Sequence, residues 1–488
     1  MSMNKGSLFK GKDFDVVIIG GGPGGLAVGC LLAREGLSTA IIEKDSAPGG
    51  RFRSVDFHGC RIDSSTKYMV SLAGSMEKTA TYEYFSYLGL PVEPKMVPWA
   101  QGMVGGDKPG RIEYFAMDPK LGAANFFAFF AFATGVEMEE ESKQELMRIA
   151  QITADMTQEE CRKCVSVSFA DWIDKNVEDP MTQAVLSGMA GITGLQATQQ
   201  NFGVVANGFR TFIESGAPIC SYPKDKTLED AFIVPLADYF TGHGGELITG
   251  RTVRRITIDE GKATGVVAHD HQNRFILEEY GARAVVCAMP IFEAVGRNIL
   301  ERKHLTDDWA ESINRCAELA GPDLSGFVLL REEVIPTDGY GWIHLFDSDY
   351  GIPTYVGDVT LGSHVNAVVP PGKQLVASMV TGVSELNPFG LTGDIDNVRK
   401  AHQRWKESVE KGFPGFNDAI EFEGMNLQLN FTRYAQAVVP VELDIQSPNI
   451  AGLYIGGDSI RSIGSQMSAK CFELAFPIRD GVLQQLRG

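Results

Sequence analysis

The sequence predicts an α/β protein, and the first observation is a strand–turn–helix–strand unit near the start of the chain. Residues 15–19 (DVVII) read as a buried strand, and the glycine-rich run 20–25 follows directly. Residues 26–36 read as a helix that ends at a glycine, and residues 39–42 read as a second strand. This order is that of a βαβ supersecondary unit.

Two further observations extend the prediction along the chain. Strand character returns over residues 245–290, and residues 451–459 (AGLYIGGDS) read as a late buried strand that ends in a glycine turn. Helix-like stretches cover residues 137–163, 301–319 and 469–486. Strands and helices therefore recur together, which favours an α/β domain combined with a less regular α+β part.

The composition is that of an acidic globular protein. The chain has 488 residues, 44% of them hydrophobic and 22% charged, which is ordinary for a soluble protein of two or three domains. Lysine and arginine total 44 against 62 for aspartate and glutamate, giving a formal net charge of −18. This balance argues against nucleic acid as a partner, because basic side chains must neutralise phosphates. It also argues against purely electrostatic docking on anionic lipid.

The cysteines indicate neither a disulfide framework nor a metal site. The eight cysteines are scattered along the chain, and Cys161-Arg-Lys-Cys164 is the only C-x-x-C pair. A structural zinc site needs two further ligands in a matching pattern, and the sequence offers none. No metal is therefore predicted.

The localisation is predicted from the absence of targeting patterns. Residues 1–13 are polar and lead directly into a strand, so no signal peptide is expected. The longest aromatic-rich apolar stretch, residues 121–136, is shorter than the roughly 20 residues that a membrane-spanning helix needs. We expect a cytoplasmic protein, with peripheral contact to a membrane as a further option.

The glycine run matches a dinucleotide-binding fingerprint in the context that the fingerprint requires. The pattern is Gly20-x-Gly22-x-x-Gly25, and it lies between a buried strand and a helix. Gly20 permits the tight turn, Gly22 lets the backbone approach a pyrophosphate, and Gly25 allows the helix to pack closely on the strand. The N-terminus of the helix then offers unpaired N–H groups and the positive end of its dipole to the phosphates.

Features after the fingerprint favour FAD over NAD and NADP. Glu43 ends the second strand, where a carboxylate accepts hydrogen bonds from the ribose hydroxyls and repels the 2′-phosphate of NADP. The turn Gly49-Gly50-Arg51 lets the chain pass close to a diphosphate and adds a positive charge. Far along the chain, Gly456-Gly457-Asp458 places an acid where it would bind ribityl hydroxyls. A simple NAD site needs neither of these two glycine turns.

These residues carry a family resemblance. Residues 15–51 (DVVIIGGGPGGLAVGCLLAREG through IIEKDSAPGGR) resemble the N-terminal signature of the FAD-dependent amine oxidase and phytoene desaturase superfamily. Residues 451–470, with AGLYIGGDS and GSQMSAK, resemble its C-terminal FAD segment. Residues 252–256 (TVRRI) resemble the strand whose valine, here Val253, meets the adenine through its backbone. AVVCAMP resembles the apolar strand that closes the second FAD-binding piece.

The resemblance implies a discontinuous Rossmann-type FAD-binding domain interleaved with an α+β substrate domain that contains a mixed sheet and helices. The FAD-binding domain is expected over residues 1–72, 201–300 and 436–488, and the substrate domain over residues 73–200 and 301–435. No second glycine fingerprint with a matching helix is visible, so no dedicated NAD(P)H domain is expected. The residues predicted to hold the cofactor are Gly20, Gly22, Pro23, Gly24, Gly25, Glu43, Lys44, Gly50, Arg51, Ser65, Val253, Gly457, Asp458 and Met467.

The predicted flavin surroundings favour the phytoene desaturase-like branch of the superfamily. Ser468-Ala469-Lys470 matches the C-terminal turn of that branch, although Met467 replaces a glycine. Amine oxidases usually build an aromatic cage before the flavin. Phe431 and Tyr434 fall where one wall of such a cage would lie, but Gln466 on the opposite wall is not aromatic. This difference weakens the amine oxidase interpretation.

Two other positions bear on how the flavin is held. Asn430 stands where some amine oxidases carry a flavin-linking cysteine, so the resemblance implies non-covalent FAD. The segment Asp63-Ser64-Ser65-Thr66-Lys67 replaces the Asp-x-Gly that the family often places near the isoalloxazine. Ser65 or Thr66 would then hydrogen-bond the flavin. Lys67 would either place a charge beside the ring or point to solvent.

The resulting functional prediction is an FAD-dependent oxidoreductase that desaturates or saturates a C–C bond by hydride transfer at flavin N5. Its partners are expected to be a small apolar substrate, isoprenoid or cyclic, and an electron acceptor such as O2 or a quinone. The alternatives are a flavin amine oxidase that uses O2 and a non-catalytic binding protein of the same fold. No catalytic residue or oligomeric state is predicted. His344, Asp347 and His364 lie in the predicted substrate domain, and a structural role is favoured for each.

A phenylalanine-rich segment gives the last prediction. Residues 125–132 (NFFAFFAF) contain five phenylalanines, and on a helix Phe126, Phe129 and Phe130 share one face while Phe127 lies off it. A helix that is apolar on more than one side is buried in the core, lines an apolar cavity or dips into a membrane interface. We predict that the substrate enters past this segment, with plain core packing as an equally weighted alternative.

Overall fold

The structure is a computed structural model of the chain. It describes residues 9–10, 12–65, 69–71, 79–106, 110–121, 124–190, 196–215, 219–272, 276–319, 321–350, 354–381, 394–431, 437–457, 460 and 469–488.

The described residues form twenty strands. They are β1 (Phe9–Lys10), β2 (Phe14–Ile19), β3 (Thr39–Ile42), β4 (Ser54–Phe57), β5 (Cys60–Asp63), β6 (Met69–Ser71), β7 (Pro94–Met96), β8 (Trp99–Val104), β9 (Glu113–Phe115), β10 (Ile219–Pro223), β11 (Glu246–Ile248), β12 (Arg251–Asp259), β13 (Lys262–Asp270), β14 (Leu277–Cys287), β15 (Gly321–Leu330), β16 (Trp342–Asp347), β17 (Thr354–Leu361), β18 (Gln374–Thr381), β19 (Ile420–Phe431) and β20 (Leu453–Ile455).

The same residues form fourteen α-helices. They are α1 (Pro23–Arg34), α2 (Ala80–Leu88), α3 (Ala124–Thr134), α4 (Glu140–Asp155), α5 (Gln158–Arg162), α6 (Phe169–Asn176), α7 (Pro180–Ala190), α8 (Phe202–Ser215), α9 (Val234–Gly242), α10 (Ile291–Gly296), α11 (Asp307–Leu319), α12 (Ile395–Gly412), α13 (Phe416–Ala419) and α14 (Ala469–Arg487).

The first sheet is built around the predicted βαβ unit. Its strand order is β11-β3-β2-β14-β13-β12, and β1 and β20 also pair with β14. Strands β11, β3, β2, β14 and β20 run parallel, whereas β12 and β13 form an antiparallel extension. Strands β2 and β3 take the centre of the sheet because all of their residues except Asp15 are buried, and helix α1 connects them. Helices α9 and α14 pack against α1.

The second sheet is mixed. Its order is β19-β15-β18-β17-β16-β8-β9, with only β16 and β8 parallel to each other. Helix α12 covers one face, where Trp405 and Val409 pack on Ile343 and Leu345 of β16. An α/β fold with a parallel nucleotide-type sheet and a second, mixed sheet is therefore observed, and the predicted fold class is confirmed.

The remaining helices form two groups that pack differently. Helices α4 to α8 build a separate apolar cluster around residues such as Phe169 and Phe202. Helices α2 and α11 instead contribute Phe85 and Ile313 to the core around the first sheet. Because α2, α8 and α11 thus pack across the predicted domain boundaries, the division of the chain at those boundaries stays a prediction. None of the described helices combines the length and the apolar character needed to cross a bilayer.

Candidate functional site

The glycine loop leaves an open space at the N-terminus of helix α1. Gly22 caps the helix in an extended conformation with φ −72° and ψ −179°, and no side chain caps the first N–H groups. A Cβ placed on Gly22 would meet no atom within 4 Å. By contrast, a Cβ on Gly25 would lie 1.9 Å from the carbonyl oxygen of Gly20, so the crossing of loop and helix excludes a side chain there. Open space before uncapped N–H groups is the arrangement that binds an anion.

Glu43 is buried directly behind this loop. Its side chain is 5% exposed. The Gly21 N–H donates to Oε2 across 2.6 Å, and the Asp45 N–H donates to Oε1 across 2.8 Å. Each carboxylate oxygen has two lone pairs, so both oxygens retain acceptor capacity for ribose hydroxyls. Lys44 differs, because its side chain is 65% exposed and its Nζ lies 3.8 Å from an Asp45 carboxylate oxygen.

The Gly49–Gly50 turn lies against the glycine loop. The Gly49 N–H donates to the Gly21 carbonyl across 2.8 Å. Gly49 and Gly50 have φ values of +131° and +52°, and a Cβ on Gly50 would approach the Gly22 Cα to 3.3 Å. Glycine is therefore needed for both the backbone conformation and the close approach. Arg51 follows in a short 3₁₀ turn and is partly exposed.

A segment more than 400 residues away in sequence contacts the same helix N-terminus. Gly457 follows β20 with φ +81°. A Cβ on Gly24 would lie 2.8 Å from the Gly457 Cα, so the two backbones touch. Gly456 anchors this turn to the first sheet, because its N–H donates to the Cys287 carbonyl across 2.8 Å.

Several residues for which the sequence predicted a role near the flavin lie outside the described residues. They are Thr66, Lys67, Tyr434, Asp458, Gln466, Met467 and Ser468. The predictions for these positions therefore stay predictions.

The strand predicted to meet the adenine begins beside Glu43. The Arg251 N–H donates to the Glu43 carbonyl across 3.0 Å, and the Gly250 N–H donates to the Asp45 carbonyl across 2.9 Å. Val253 is 4% exposed, and the pairing of β12 with β13 shifts register between Val253 and Arg255. Such a bulge interrupts the regular ladder at the position of the valine.

The segment that contains Ser65 lies against the second sheet. Asp63 accepts hydrogen bonds from the Ser54 hydroxyl and from the Leu228 N–H, so its role here is to fix the start of the segment. Ser65 is 2% exposed. Asn426 of β19 donates from its side-chain amide to the Ser64 carbonyl across 2.9 Å. Asn426 was not predicted from the sequence, because nothing in its local pattern indicates a partner more than 350 residues away.

Comparisons with known proteins agree with this geometry. The family model described as an NAD(P)-binding Rossmann-like domain matches residues 18–87. A 4,4′-diapophytoene desaturase of Methylomonas sp is 34% identical over 55 residues, which is 11% of each protein. An all-trans-zeta-carotene desaturase of Myxococcus xanthus is 36% identical over 61 residues, which is 12% of this chain and 11% of that protein. The chain thus spans about a tenth of the length of these curated relatives in the matches.

Solved structures match over nearly the whole chain. An oxidoreductase from Methanosarcina mazei has a TM-score of 0.66 at 15% identity, covering 95% of this chain and 99% of that one. Cyclohexylamine oxidase from Brevibacterium oxydans has a TM-score of 0.62 at 14% identity, covering 98% and 100%. A Rab GDI from Plasmodium falciparum has a TM-score of 0.53 at 10% identity, covering 98% of each chain.

The chain has the fold of these solved structures, and the matches to the Rossmann-like family model and to the desaturases support the predicted resemblance to the FAD-dependent amine oxidase and phytoene desaturase superfamily. The residues of the glycine loop and its neighbours also fit a bound dinucleotide. The open space at Gly22, the buried acceptor Glu43, and the glycine turns at Gly50 and Gly457 converge on one helix N-terminus.

The second sheet carries the titratable residues noted in the sequence. Asp347 is fully buried and accepts from Ser408 Oγ at 2.6 Å and Lys411 Nζ at 2.7 Å, so its observed contacts are structural. His364 lies beside Gly341, and its pKa is lowered by burial and then by Lys95. His344 occupies the opposite face of β16 from Asp347 and lies beside Gln101 and Asp358, neither of which was predicted from the sequence.

The phenylalanine-rich segment is a helix with two apolar sides. Phe129 of α3 contacts Phe115 and Phe346 of the second sheet, with ring centroids 5.6 and 6.1 Å apart. Phe127 and Phe130 pack against the cluster of helices α4 to α8. All three α3 side chains remain partly exposed, so the helix separates two layers without being completely buried. Entry of a substrate past this helix stays a prediction.

Proposed function

We propose that the protein is an FAD-dependent oxidoreductase. The observation that carries the proposal is the convergence of two additional glycine turns, Gly49–Gly50 and Gly456–Gly457, on the glycine loop at Gly22. A plain nicotinamide dinucleotide site needs only the loop and the acidic residue after the second strand. The extra turns provide close backbone approach where a longer, flavin-bearing dinucleotide would continue.

The proposal assigns a role to each described piece of the site. The N–H groups at the start of α1 would hold the pyrophosphate, and Glu43 would accept from the adenosine ribose. Val253 would present its backbone to the adenine, and the turn after Gly457 would lead Asp458 to the ribityl chain. When bound, FAD supplies the hydride chemistry, whereas the protein orients the substrate and excludes water. The link is proposed to be non-covalent, with Asn430 in place of a linking cysteine.

We further propose that the reaction is desaturation or saturation of a C–C bond in an apolar substrate, isoprenoid or cyclic, with O2 or a quinone as electron acceptor. Support comes from the relatives named as desaturases and from the aromatic side chains between α3 and the second sheet. A flavin amine oxidase is the second candidate, favoured by the full-length likeness to cyclohexylamine oxidase. Peripheral membrane contact through α3 is proposed only as the way by which an apolar substrate would enter the protein.

The test begins with the purified protein. We expect a visible absorption spectrum of oxidised flavin, and acid precipitation should release the colour into the supernatant because the link is non-covalent. Colour that stays in the pellet contradicts the non-covalent link. A colourless protein that cannot be loaded with FAD contradicts the oxidoreductase and favours a non-catalytic binding protein of the same fold.

A second measurement separates the reaction classes. Anaerobic mixing with NADPH should leave the flavin oxidised, because no second nucleotide fingerprint is present in the sequence. Rapid bleaching by primary amines, with hydrogen peroxide formed in air, would favour the amine oxidase. Bleaching by an apolar substrate with formation of an alkene would favour the desaturase.

A further inference from the structure

One face of the second sheet is left partly open. On β16, the odd-numbered residues Ile343 and Leu345 are buried under helix α12. The even-numbered residues His344 and Phe346 point to the other face, and both remain partly exposed together with Tyr355 of β17. The sheet is therefore sealed by α12 on one side. The other side is covered in part by Cys60 and Ile62, contacts the Ser64 segment through Asn426, and stays partly exposed at His344, Phe346 and Tyr355.

A chain of aromatic rings runs along the open face from helix α3. Phe129 of α3 contacts Phe346 at 6.1 Å between ring centroids, and Phe346 contacts Tyr355 at 5.8 Å. Tyr355 in turn lies 5.9 Å from the His344 ring, and Trp99 lies 5.9 Å from it on the other side. These rings give an apolar wall that begins at the helix predicted as the substrate entrance.

The wall ends in polar groups. Gln101 Nε2 lies 3.3 Å from His344 Nδ1 and the Asp358 carboxylate lies beside Nε2, an arrangement that favours the tautomer with the ring proton on Nε2. Nε2 faces Asp358 Oδ1 at 3.6 Å, longer than a hydrogen bond, so this N–H has room for another acceptor. Asp358 accepts instead from the Tyr355 hydroxyl across 2.7 Å. The His344 side chain is 21% exposed, whereas that of Asp358 is 1% exposed, so a ligand reaches the histidine first.

The polar groups form part of a row across the whole sheet. Strand pairing places His344 opposite both Gln101 and Asp358, and places Ser325 opposite both Met379 and Asn426. The Tyr355 hydroxyl joins the two halves, because it lies within hydrogen-bond distance of Asp358 and of the Met379 carbonyl. The row therefore connects His344 to Asn426, which bonds the segment predicted to lie near the flavin.

The groups around His344 discriminate between substrates through hydrogen bonding and charge. A pure hydrocarbon against His344 would bury the Nε2–H without an acceptor, and a site built to hydrogen-bond rejects analogues that lack the partner. The Asp358 carboxylate behind the ring disfavours an anionic ligand. Burial lowers the pKa of His344 more than Asp358 raises it, so the ring is neutral at pH 7 and offers a donor rather than a positive charge.

We infer that the substrate lies along the aromatic wall and that His344 donates a hydrogen bond to an uncharged oxygen, a carbonyl or hydroxyl, on an otherwise apolar molecule. The inference rests on the proposed oxidoreductase function and specifies its substrate class. His344 is thereby a binding residue, and Gln101 is a positioning residue that fixes its tautomer.

The experiment compares matched probes on the purified holoprotein. The probes are 2-octanone, its isostere 2-methyl-1-octene and the cation 2-aminooctane. Binding is followed by the absorption of the bound flavin and by tryptophan fluorescence, because Trp342 lies 4.4 Å from the His344 ring. We expect the ketone to bind about tenfold more tightly than the alkene, a factor that corresponds to about 1.4 kcal/mol.

Variants assign the preference to one side chain. H344F should reduce the ketone-to-alkene ratio to about one and leave alkene binding within about twofold of wild type. H344Q, which keeps a donor, should restore part of the ratio. H243F is the matched control, since His243 is exposed at the far end of α9 and stacks on Tyr239, where a phenyl ring substitutes well. Melting temperature and flavin content show whether each variant is folded.

The outcomes separate the inference from the proposed function. A flavin-containing wild type without ketone preference, tighter binding of 2-aminooctane than of the ketone, or a folded H344F that keeps the preference would each overturn the inference and leave the oxidoreductase standing. A protein that cannot bind flavin but still shows the fluorescence preference would overturn the oxidoreductase and leave the binding wall.

Discussion

The substitution Gly22→Ala tests the open space at the start of helix α1. Gly22 has φ −72°, which alanine adopts without strain, and its Cβ would meet no protein atom within 4 Å. The structure alone therefore predicts a well-tolerated methyl group. If the space is where the pyrophosphate approaches the backbone, the same methyl group collides with the cofactor.

The two effects have different magnitudes. For the apoprotein, alanine is less favourable than glycine at a helix N-cap by a few tenths to about 1 kcal/mol, and it gains about 0.4–1 kcal/mol by restricting the unfolded chain. These terms nearly cancel, so the stability of the apoprotein should stay within about 1 kcal/mol of wild type. Forcing a methyl group into an occupied space costs about 1–3 kcal/mol, which corresponds to roughly 5- to 150-fold in the dissociation constant for FAD.

The assay is a titration of apoprotein with FAD, followed by quenching of flavin fluorescence, together with thermal unfolding of the apoprotein. Gly242→Ala is the control, because a Cβ at Gly242 also meets nothing within 4 Å but lies at the exposed end of helix α9. We expect weaker FAD binding only for G22A. A stable G22A apoprotein that binds FAD as tightly as G242A would refute the assignment of this space to the cofactor.

Three further predictions concern other parts of the molecule. E43Q should weaken FAD binding by about 1.5–3 kcal/mol, because a charged acceptor is lost, and unchanged flavin occupancy after dialysis would exclude Glu43 from the adenosine site. His402 is 3% exposed and its pKa is lowered by burial, with Glu423 opposing the shift, so its contribution to stability is present above the unfolded pKa of about 6.5 and is lost as pH falls through the lower folded pKa. The free energy of unfolding, measured with denaturant, should therefore fall less for H402F than for the wild type between about pH 7 and pH 5. Parallel pH profiles of the two proteins would show that His402 does not cause the loss of stability. F129S should weaken the binding of 2-octanone and of 2-methyl-1-octene to the same extent, because Phe129 belongs to the apolar wall. F127S should instead lower the melting temperature, because Phe127 packs against the cluster of helices α4 to α8. Equal binding by F129S and wild type would remove α3 from the substrate path.

The glycine loop shows why part of the site could be predicted from the sequence. Gly20, Gly22 and Gly25 act through constraints that extend over a few residues: a positive φ at Gly20, and a loop carbonyl 1.9 Å from a Cβ on Gly25. Glu43 follows from the same unit, because the strand that precedes it pairs with the strand before the loop. Local spacing is sufficient wherever the interacting groups belong to one βαβ unit.

The contact of Gly24 with Gly457 was predicted only in part. The glycine turn after β20 was recognisable from its residues, and the family resemblance assigned it to the cofactor. That its backbone touches the first turn of α1 follows only from the parallel pairing of β20 with β14, which brings the carboxyl ends of both strands to the loop. A positive φ explains the glycine at 457, whereas close packing explains the glycine at 24.

The functional interpretation of His344 could not be made from the sequence. An isolated histidine in an apolar strand is most often a core residue, and that interpretation was favoured. The structure changes its significance because antiparallel and parallel pairing place Gln101 and Asp358 on either side of it, from strands more than 200 residues apart in one case.

The sequence by itself therefore determined the fold class and the first half of the proposed cofactor site, because those features depend on strand and helix periodicity and on glycines whose neighbours are close in the chain. Only the tertiary structure decided which polar residues share the open face of the second sheet. Strand order and register are set by the burial of whole sheet faces, such as the packing of α12 on Ile343 and Leu345. A residue's own neighbours in sequence do not carry that information.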